Sequence, residues 1–280
     1  MLSGWLSRAW LILPGFLLGA YGTLIGAGGG FLLVPLLLFL YPNDSPTTIT
    51  SVSLAVVFVN AFSGSIAYGR MKRIDYRSGR LFAAATVPGA VLGALMTALL
   101  ARGVFDIIFG LVMIAIAAFI YFRPLEASAT LRLPATSHRV IVTADGERYE
   151  YSFNRWIGLA LSFGVGFFSS ILGIGGGVIH VPALVHVLGF PAHVATATSH
   201  FVLSIMALAG TLVHIISGDF AHGIRRAVAL AIGVAVGAQW GARLSNRVHG
   251  ALLIRLLGLG LGLVGIRLVG GGIFAVLHHG

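Results

Sequence analysis

Apolar residues dominate ten stretches of the chain, at 10–25, 31–41, 52–69, 81–101, 104–122, 156–174, 178–190, 197–217, 227–242 and 250–277. Leu, Val, Ala, Gly and Phe follow one another there without the in–out alternation of barrel strands, so the pattern predicts helices. Several stretches reach the roughly 20 residues that cross a hydrocarbon core. The runs 31–41 and 178–190 do not, and each of them follows three glycines, in GAGGGFLLVPLLL (26–38) and GIGGGVIHVPALV (173–185). Glycine costs roughly 1 kcal/mol relative to alanine inside a helix, so both stretches oppose the structure their neighbours favour.

The two breaks belong to a larger pattern. With Gly26 placed on Gly173, Val34-Pro35 falls on Val181-Pro182 without a gap. After a one-residue shift Thr50-Ser51-Val52-Ser53 meets Thr196-Ala197-Thr198-Ser199, and Gly64 meets Gly210. Further on, VPGAVLGA (87–94) meets AIGVAVGA (231–238). Four landmarks in one order indicate an internal duplication, as in many transporters. The expected architecture is an all-α polytopic membrane protein of two homologous halves, each with four to five hydrophobic segments and a broken or re-entrant helix at its glycine motif. The boundaries are 1–122 for the first transmembrane repeat, 123–155 for a cytoplasmic linker and 156–280 for the second repeat. Within the linker HRVIVTADGERYEYSF alternates around Asp145-Gly146, a hairpin turn signal, and predicts a small solvent-exposed β-hairpin.

Composition sharpens the class. Of 280 residues 58% are hydrophobic and 9% charged, against about 25% charged in soluble domains. The net charge of +10 is accounted for by Lys and Arg in short cytoplasmic loops, so no nucleic-acid partner is expected. Five crossings per half, with inverted copies, put 13 of the 18 basic residues on the side of the linker; four net crossings, with parallel copies, put 14 there. Both arrangements place 69–80 and the linker in the cytoplasm, and the count leaves inverted and parallel copies open. The first apolar run has a counterpart in the second half and reads as a retained span. Cysteine is absent, which excludes disulfides and thiolate ligands.

A lipid-exposed helix cannot be broken without stranding backbone groups, so a break at membrane depth belongs inside protein or against a cavity. A helix restarting just after glycines offers unpaired N–H groups and about half a positive charge, while glycine lets a ligand approach the backbone. Gly28, Gly29 and Gly30 with Gly175, Gly176 and Gly177 are therefore the candidate backbone of an anion site. Gly89/Gly93 and Gly233/Gly237/Gly241 have instead the spacing of close helix contacts. Thr50 and Ser53, with Thr196, Thr198 and Ser199, open the third segment of each half; they are read both as anion donors and as N-caps. All ten histidines lie at or beyond residue 138. His180 and His200 stand nearest the glycine and Thr-Ser motifs and are candidates for substrate binding or proton coupling, or for hydrogen bonds inside the bundle. Asn60, Gln239 and Asn246 read equally as polar contacts and as helix bridges.

Gly-x-Gly-Gly-Gly followed by Val-Pro in both halves, the segment ATATSHF (195–201) and duplication across a charged linker resemble the sulfite exporter TauE/SafE family of membrane permeases. The resemblance covers the chain apart from the linker. It implies a permease of small sulfur oxyanions that exports sulfite or an organosulfonate across a bacterial cytoplasmic membrane. The first copy has Val52-Ser53 where the second has Thr198-Ser199, so equal contributions from the two hydroxyl clusters do not follow.

The leading expectation is a secondary transporter working by alternating access around a central anion site, with lipid as its surroundings and no cofactor. A homo-oligomer is compatible with the sequence. The alternative is a divalent-metal transporter using the second-half histidines, disfavoured because the apolar segments carry almost no carboxylate. A membrane enzyme finds no His-Glu-x-x-His, paired carboxylates or Gly-x-Ser-x-Gly, and a scaffold leaves the duplicated glycine breaks without a purpose.

Overall fold

The computed structural model describes residues 9–122, 134–245 and 251–279. After a short turn at Ala9–Leu11 the first half contributes α1 (Ile12–Leu24), α2 (Gly30–Leu40), α3 (Pro46–Arg70), α4 (Tyr76–Thr97) and α5 (Arg102–Phe122). An antiparallel hairpin follows, β1 (Ser137–Val142) and β2 (Arg148–Phe153), with Val140 opposite Glu150. Then come α6 (Arg155–Leu172), α7 (Gly177–His186), α8 (Ala192–Ile216), α9 (Ile224–Leu244) and α10 (Ala251–His279). Among the described residues five helices, α3, α4, α6, α8 and α9, are long and apolar enough to cross a membrane.

Local chemistry sets where these helices start. Ser45 Oγ accepts from Thr48 N at 3.2 Å, with Pro46 in the first turn of α3. Asp75 Oδ1 accepts from Ser78 N at 3.0 Å to cap α4, and Asn154 Oδ1 accepts from Trp156 N at 3.0 Å to cap α6. Each cap satisfies an amide that a helix start otherwise strands.

The two 25-residue helices α3 and α8 pack along each other at the centre. They run antiparallel: a side chain on Gly64, late in α3, would strike the ring of His200, early in α8, while one on Gly210, late in α8, would strike Leu54, early in α3. Two flanking pairs form between the chain's first and second parts. Gly89 and Gly93 of α4 lie against the backbone of Phe163 and Phe167 in α6, and Gly233, Gly237 and Gly241 of α9 against Ile12, Phe16 and Ala20 in α1. Both pairs run parallel. Any side chain at these glycines would meet the neighbouring backbone, the close approach that holds helices together in lipid. A fourth pair, α5 and α10, meets through Gly110 and Gly265.

The hairpin is exposed on one side only. Its other face is seated on the bundle, with Tyr151 and Phe153 buried against Phe190. Tyr151 Oη donates to Asp75 Oδ2 at 2.9 Å, Arg139 Nε lies 3.6 Å from the same oxygen, and Ala144 N donates to Met71 O at 3.0 Å. The aromatic residues of β2 gain more by burial than by exposure, which is why the strand docks rather than stands free. At the opposite end Arg226 pairs with the Asp44 carboxylate and lies 3.7 Å above the Tyr41 ring, while Arg102 Nη1 donates to Asp44 O.

Burial, and after it the Asp75 carboxylate, raises the Tyr151 hydroxyl above its ordinary value of 10.0. The folded state therefore binds this proton more tightly than the unfolded chain. Its contribution is fully present below about pH 10 and is lost as pH rises beyond that. Tyr151→Phe should weaken docking by about 1.5–3 kcal/mol, the range for hydrogen bonds to charged groups. The measurement is hydrogen exchange of the 137–153 amides, which should speed up in the variant while α8 amides stay protected. Unchanged hairpin exchange would show that Asp75 does not hold the strand.

Candidate functional site

The segments that carry the glycines form two tips that meet back to back. α1 ends at Leu24 and α2 begins at Gly30; between them Gly26, Gly28 and Gly29 have φ of 79°, 78° at Gly29 and 73° at Gly28. α6 ends at Leu172 and α7 begins at Gly177, with Gly173, Gly175 and Gly176 at 69°, 78° and 67°. These are left-handed conformations that cost other residues roughly 1–2 kcal/mol each. A side chain on Gly30 would lie 2.7 Å from Ile174 O, and one on Gly177 would lie 2.7 Å from Ala27 Cα. Neither tip leaves room for a β-carbon at the contact.

Each tip also rests on the long helix of the other part of the chain. A β-carbon on Gly26 would fall 2.8 Å from Thr196 Cγ2, and one on Gly173 would fall 3.0 Å from Thr50 Cα. Ser53 Oγ donates to Gly173 O at 2.6 Å. Gly29 and Gly176 are the N-caps of α2 and α7, and neither start carries a side-chain cap. Two uncapped helix N-termini therefore lie side by side inside protein. Val57 and Leu203 are the apolar neighbours: Val57 methyls stand 2.6 and 2.7 Å from where side chains on Gly30 and Gly175 would begin, and Leu203 Cδ2 stands 2.9 Å from that of Gly28.

The hydroxyls and histidines named from the sequence divide into separate groups. Thr50, Ser53 and Thr196 are at the tips. Thr50 Oγ1 donates to Pro46 O at 2.9 Å, so its own helix already engages it. Thr198 points the other way and accepts from Asp75 N at 3.0 Å, a strut between α8 and the loop under the hairpin. Ser199 belongs with His180, whose Nδ1 lies 3.3 Å from Ser199 Oγ and whose Nε2 lies 3.3 Å from Ser162 Oγ. His200 faces Gly64 and the Tyr68 ring, at a centroid separation of 5.4 Å. Helical spacing explains the division: residues 196 and 200 share a face, and 198 lies on the opposite one.

Two serines that the sequence did not single out, Ser169 and Ser170, join Asn60 and His200, which it did. Asn60 Nδ2, Ser169 Oγ, Ser170 Oγ and His200 Nε2 are buried without a hydrogen-bond partner in the protein. Asn60 Nδ2 lies 3.5 Å from the β-position of Gly29, and Ser169 Oγ lies 2.6 Å from that of Gly176. An unpaired buried donor costs about 1–3 kcal/mol, so their gathering at the two N-caps is notable chemistry for accepting an oxyanion. Ser169-Ser170 stands 147 residues after Gly22-Thr23, and that alignment position was the signal available. Among the described residues no three His, Asp or Glu side chains gather as a metal site.

Replacing Gly30, whose φ is ordinary, separates contact from strain. Gly30→Ala should push Val57 and Ile174 away and lower stability by about 1–3 kcal/mol through overpacking. Gly146→Ala in the hairpin turn has a positive φ of 85° but nothing within 4 Å, and should cost only the left-handed penalty of roughly 1–2 kcal/mol. Thermal unfolding of the detergent-purified variants checks both; a silent Gly30→Ala would mean the tips do not touch.

Comparison with known proteins now places this architecture. The family described as sulfite exporter TauE/SafE matches residues 11–268. A probable membrane transporter protein of Bacillus subtilis, YunE, is 32% identical over 275 residues, covering 95% of this chain and 98% of that protein. A probable membrane transporter protein of Methanocaldococcus jannaschii is 24% identical over 91% of this chain and 93% of its own length. One from Xylella fastidiosa is 30% identical over 71% of this chain and 69% of its own. No solved structure matches. The uncapped helix starts, the membrane-length helices and this match over nearly the whole chain converge: the protein is an integral membrane transporter and belongs to the sulfite exporter TauE/SafE family.

Proposed function

We propose that the protein is a secondary permease of small sulfur oxyanions that exports sulfite or an organosulfonate across the cytoplasmic membrane. The observation that carries this reading is the meeting of two uncapped helix N-termini, α2 and α7, with Asn60 Nδ2 and Ser169 Oγ unpartnered beside them. Helix starts attract negative charge through their free amides and dipole, and neutral donors bind an anion that must also be released.

In this reading 1–122 and 156–280 are two inverted copies joined by the linker 123–155. The antiparallel course of α3 and α8 supports inversion, as does the equivalence of the Gly26–Thr196 and Gly173–Thr50 contacts. α1–α2 and α6–α7 are then discontinuous helix pairs that enter from opposite faces and touch at mid-depth. Of the six motif glycines, Gly28 N already donates to Gly22 O at 3.1 Å and Gly177 N to Gly175 O at 2.8 Å, so the backbone of Gly29, Gly30, Gly175 and Gly176 binds the oxyanion. Thr50, Ser53 and Thr196 shape the tips; Thr198, Ser199 and His180 hold α8 in place. Rocking of one half against the other exposes the tips alternately, and Val57 and Leu203 close the route between them. The hairpin end, with its Arg and Lys, faces the cytoplasm.

Thermal unfolding of the purified protein against sulfite, sulfate, taurine, methanesulfonate, chloride, nickel and cobalt at matched ionic strength tests the reading. A ligand bound only by the folded state should add about 2.7 kcal/mol at 100 times its dissociation constant. Sulfite or a sulfonate should stabilise the wild type, and Gly176→Leu should abolish that response while the protein stays inserted and monodisperse. Stabilisation by nickel or cobalt alone would overturn the anion site in favour of a metal carrier.

A further inference from the structure

Among the described residues three fully buried histidines lie in the helices, His180, His200 and His214, and two of them are engaged at both ring nitrogens. His180 has a hydroxyl at each ring nitrogen, and His214 has Thr50 Oγ1 3.4 Å from Nε2 and Asp219 Oδ2 3.4 Å from Nδ1. His200 differs. Its Nδ1 lies 3.3 Å from Thr196 O, and its Nε2 is buried with no partner in the protein. A carbonyl oxygen only accepts, so the hydrogen of the neutral ring sits on Nδ1 and the free nitrogen presents a lone pair. A lone pair repels an oxyanion, and the same nitrogen carrying a proton attracts one.

The free nitrogen faces Gly64, the same glycine that Thr23 approaches. A β-carbon on Gly64 would lie 3.1 Å from His200 Nε2 and 3.1 Å from Thr23 Cγ2. Thr23 Oγ1 donates to Asn60 Oδ1 at 3.0 Å, which fixes the amide so that its unpartnered Nδ2 lies beside Gly29. Thr23 thus stands between the glycine that His200 faces and the Asn60 amide that lies toward Gly29.

No described carboxylate balances a charge on this ring. From α3 the facing titratable group is Tyr68, whose hydroxyl donates to Thr23 O at 2.8 Å. From the loop before α4, Arg73 pairs with Asp145, and Asp75 with Tyr151 and Arg139. From α4 itself Tyr76 packs on Phe201, the neighbour of the ring. From α7 comes His180, already engaged; α1 carries Thr23 and, two residues before it, the titratable Tyr21, α6 has no titratable group after Arg155, and α9 has the exposed Arg243. A buried imidazolium without a counter-ion is costly, so proton and anion each make the other's binding favourable.

We propose that His200 takes up one proton with each anion, so that the transporter moves an oxyanion and a proton together. This rests on the anion-site reading above and goes beyond it in naming the coupling. The proton comes from water on the side where the anion enters, adds to Nε2 and returns to water where the anion leaves; no covalent bond other than N–H changes. The equivalent position in the first half is Leu54, so the coupling site is single and a monoanion crosses without net charge.

Calorimetric titration of the full-length purified protein with sulfate, methanesulfonate and sulfite, in buffers of different ionisation enthalpy, tests the coupling. The first two do not titrate between about pH 5 and 8, where a histidine does, so protons taken up with them belong to the protein. The wild type should take up about one proton per anion, and its apparent Kd should rise about tenfold per pH unit above the ring's titration. His200→Gln, which keeps an amide donor, should bind with no proton uptake and no pH dependence. His200→Leu places there the residue found at position 54 and should bind weakly at every pH. Wild-type binding without proton uptake, or pH dependence surviving in His200→Gln, would overturn the coupling alone. Failure of all three anions to bind the wild type at any pH would overturn the anion site, and the coupling with it.

Discussion

A backbone N–H or C=O inside a bilayer has no water to turn to, and each unsatisfied group costs several kcal/mol. This chain parts α1 from α2 and α6 from α7 at its glycines, and the neighbouring structure closes around both places. Each interruption is enclosed by the other part of the molecule: the first tip rests on Thr196 of α8, and the second on Thr50 of α3, where Ser53 Oγ covers Gly173 O at 2.6 Å. The two tips then cover one another through Gly30 and Gly177. Each tip is covered by a helix distant from it in the chain, so the two parts of the molecule interlock. The parallel pairs α1–α9 and α4–α6, sealed through glycine faces, hold the interlock in place.

Charge is kept away from this centre. Two of the few carboxylates act as staples at opposite ends of the bundle. Asp75 gathers an α4 cap, the Tyr151 hydroxyl and Arg139, while Asp44 binds Arg226. Between the ends the polar groups are neutral: hydroxyls, an amide, imidazoles and backbone. In the proposed reading neutral donors suit transport, because a permanent cation at the tips would hold an anion too firmly to let it go. The excess of basic residues adds a weak field that favours anions.

The hydroxyl motif illustrates how a linear pattern and a helix differ. Thr196, Thr198, Ser199 and His200 are adjacent in the chain, and the sequence offers them as one cluster. On α8 they spread around the helix: Thr196 faces a glycine tip, Thr198 reaches Asp75, Ser199 reaches His180, and His200 faces α3. The first-half residues behave likewise, Ser53 binding the opposite tip while Thr50 bonds within its own helix. Residues overlooked in the linear reading, Ser169 and Ser170, became visible only beside Gly176 and Gly210. The hairpin, expected to be exposed, is half seated because Phe190 and Phe82, distant in sequence, complete an aromatic cluster with Phe153.

What the sequence determined by itself was local. Helices follow from uninterrupted apolar runs, their interruption from the cost of three glycines, the hairpin from alternation around Asp145-Gly146, and the family from motifs repeated in order. The helices, their interruption and the hairpin depend on residues within a few turns of one another, and the motifs on comparing two stretches of the chain, so each can be read without the fold. Tertiary structure alone decided that α3 and α8 run antiparallel, that each glycine tip meets the hydroxyls of the opposite half, and that His200, and neither His180 nor His214, keeps a nitrogen unengaged. The first two are choices of partner across 120 residues or more, as in the bond from Ser53 to Gly173. Apolar helices fit several partners about equally well by composition; complementary backbone contact at Gly26, Gly30, Gly173 and Gly177 selects one.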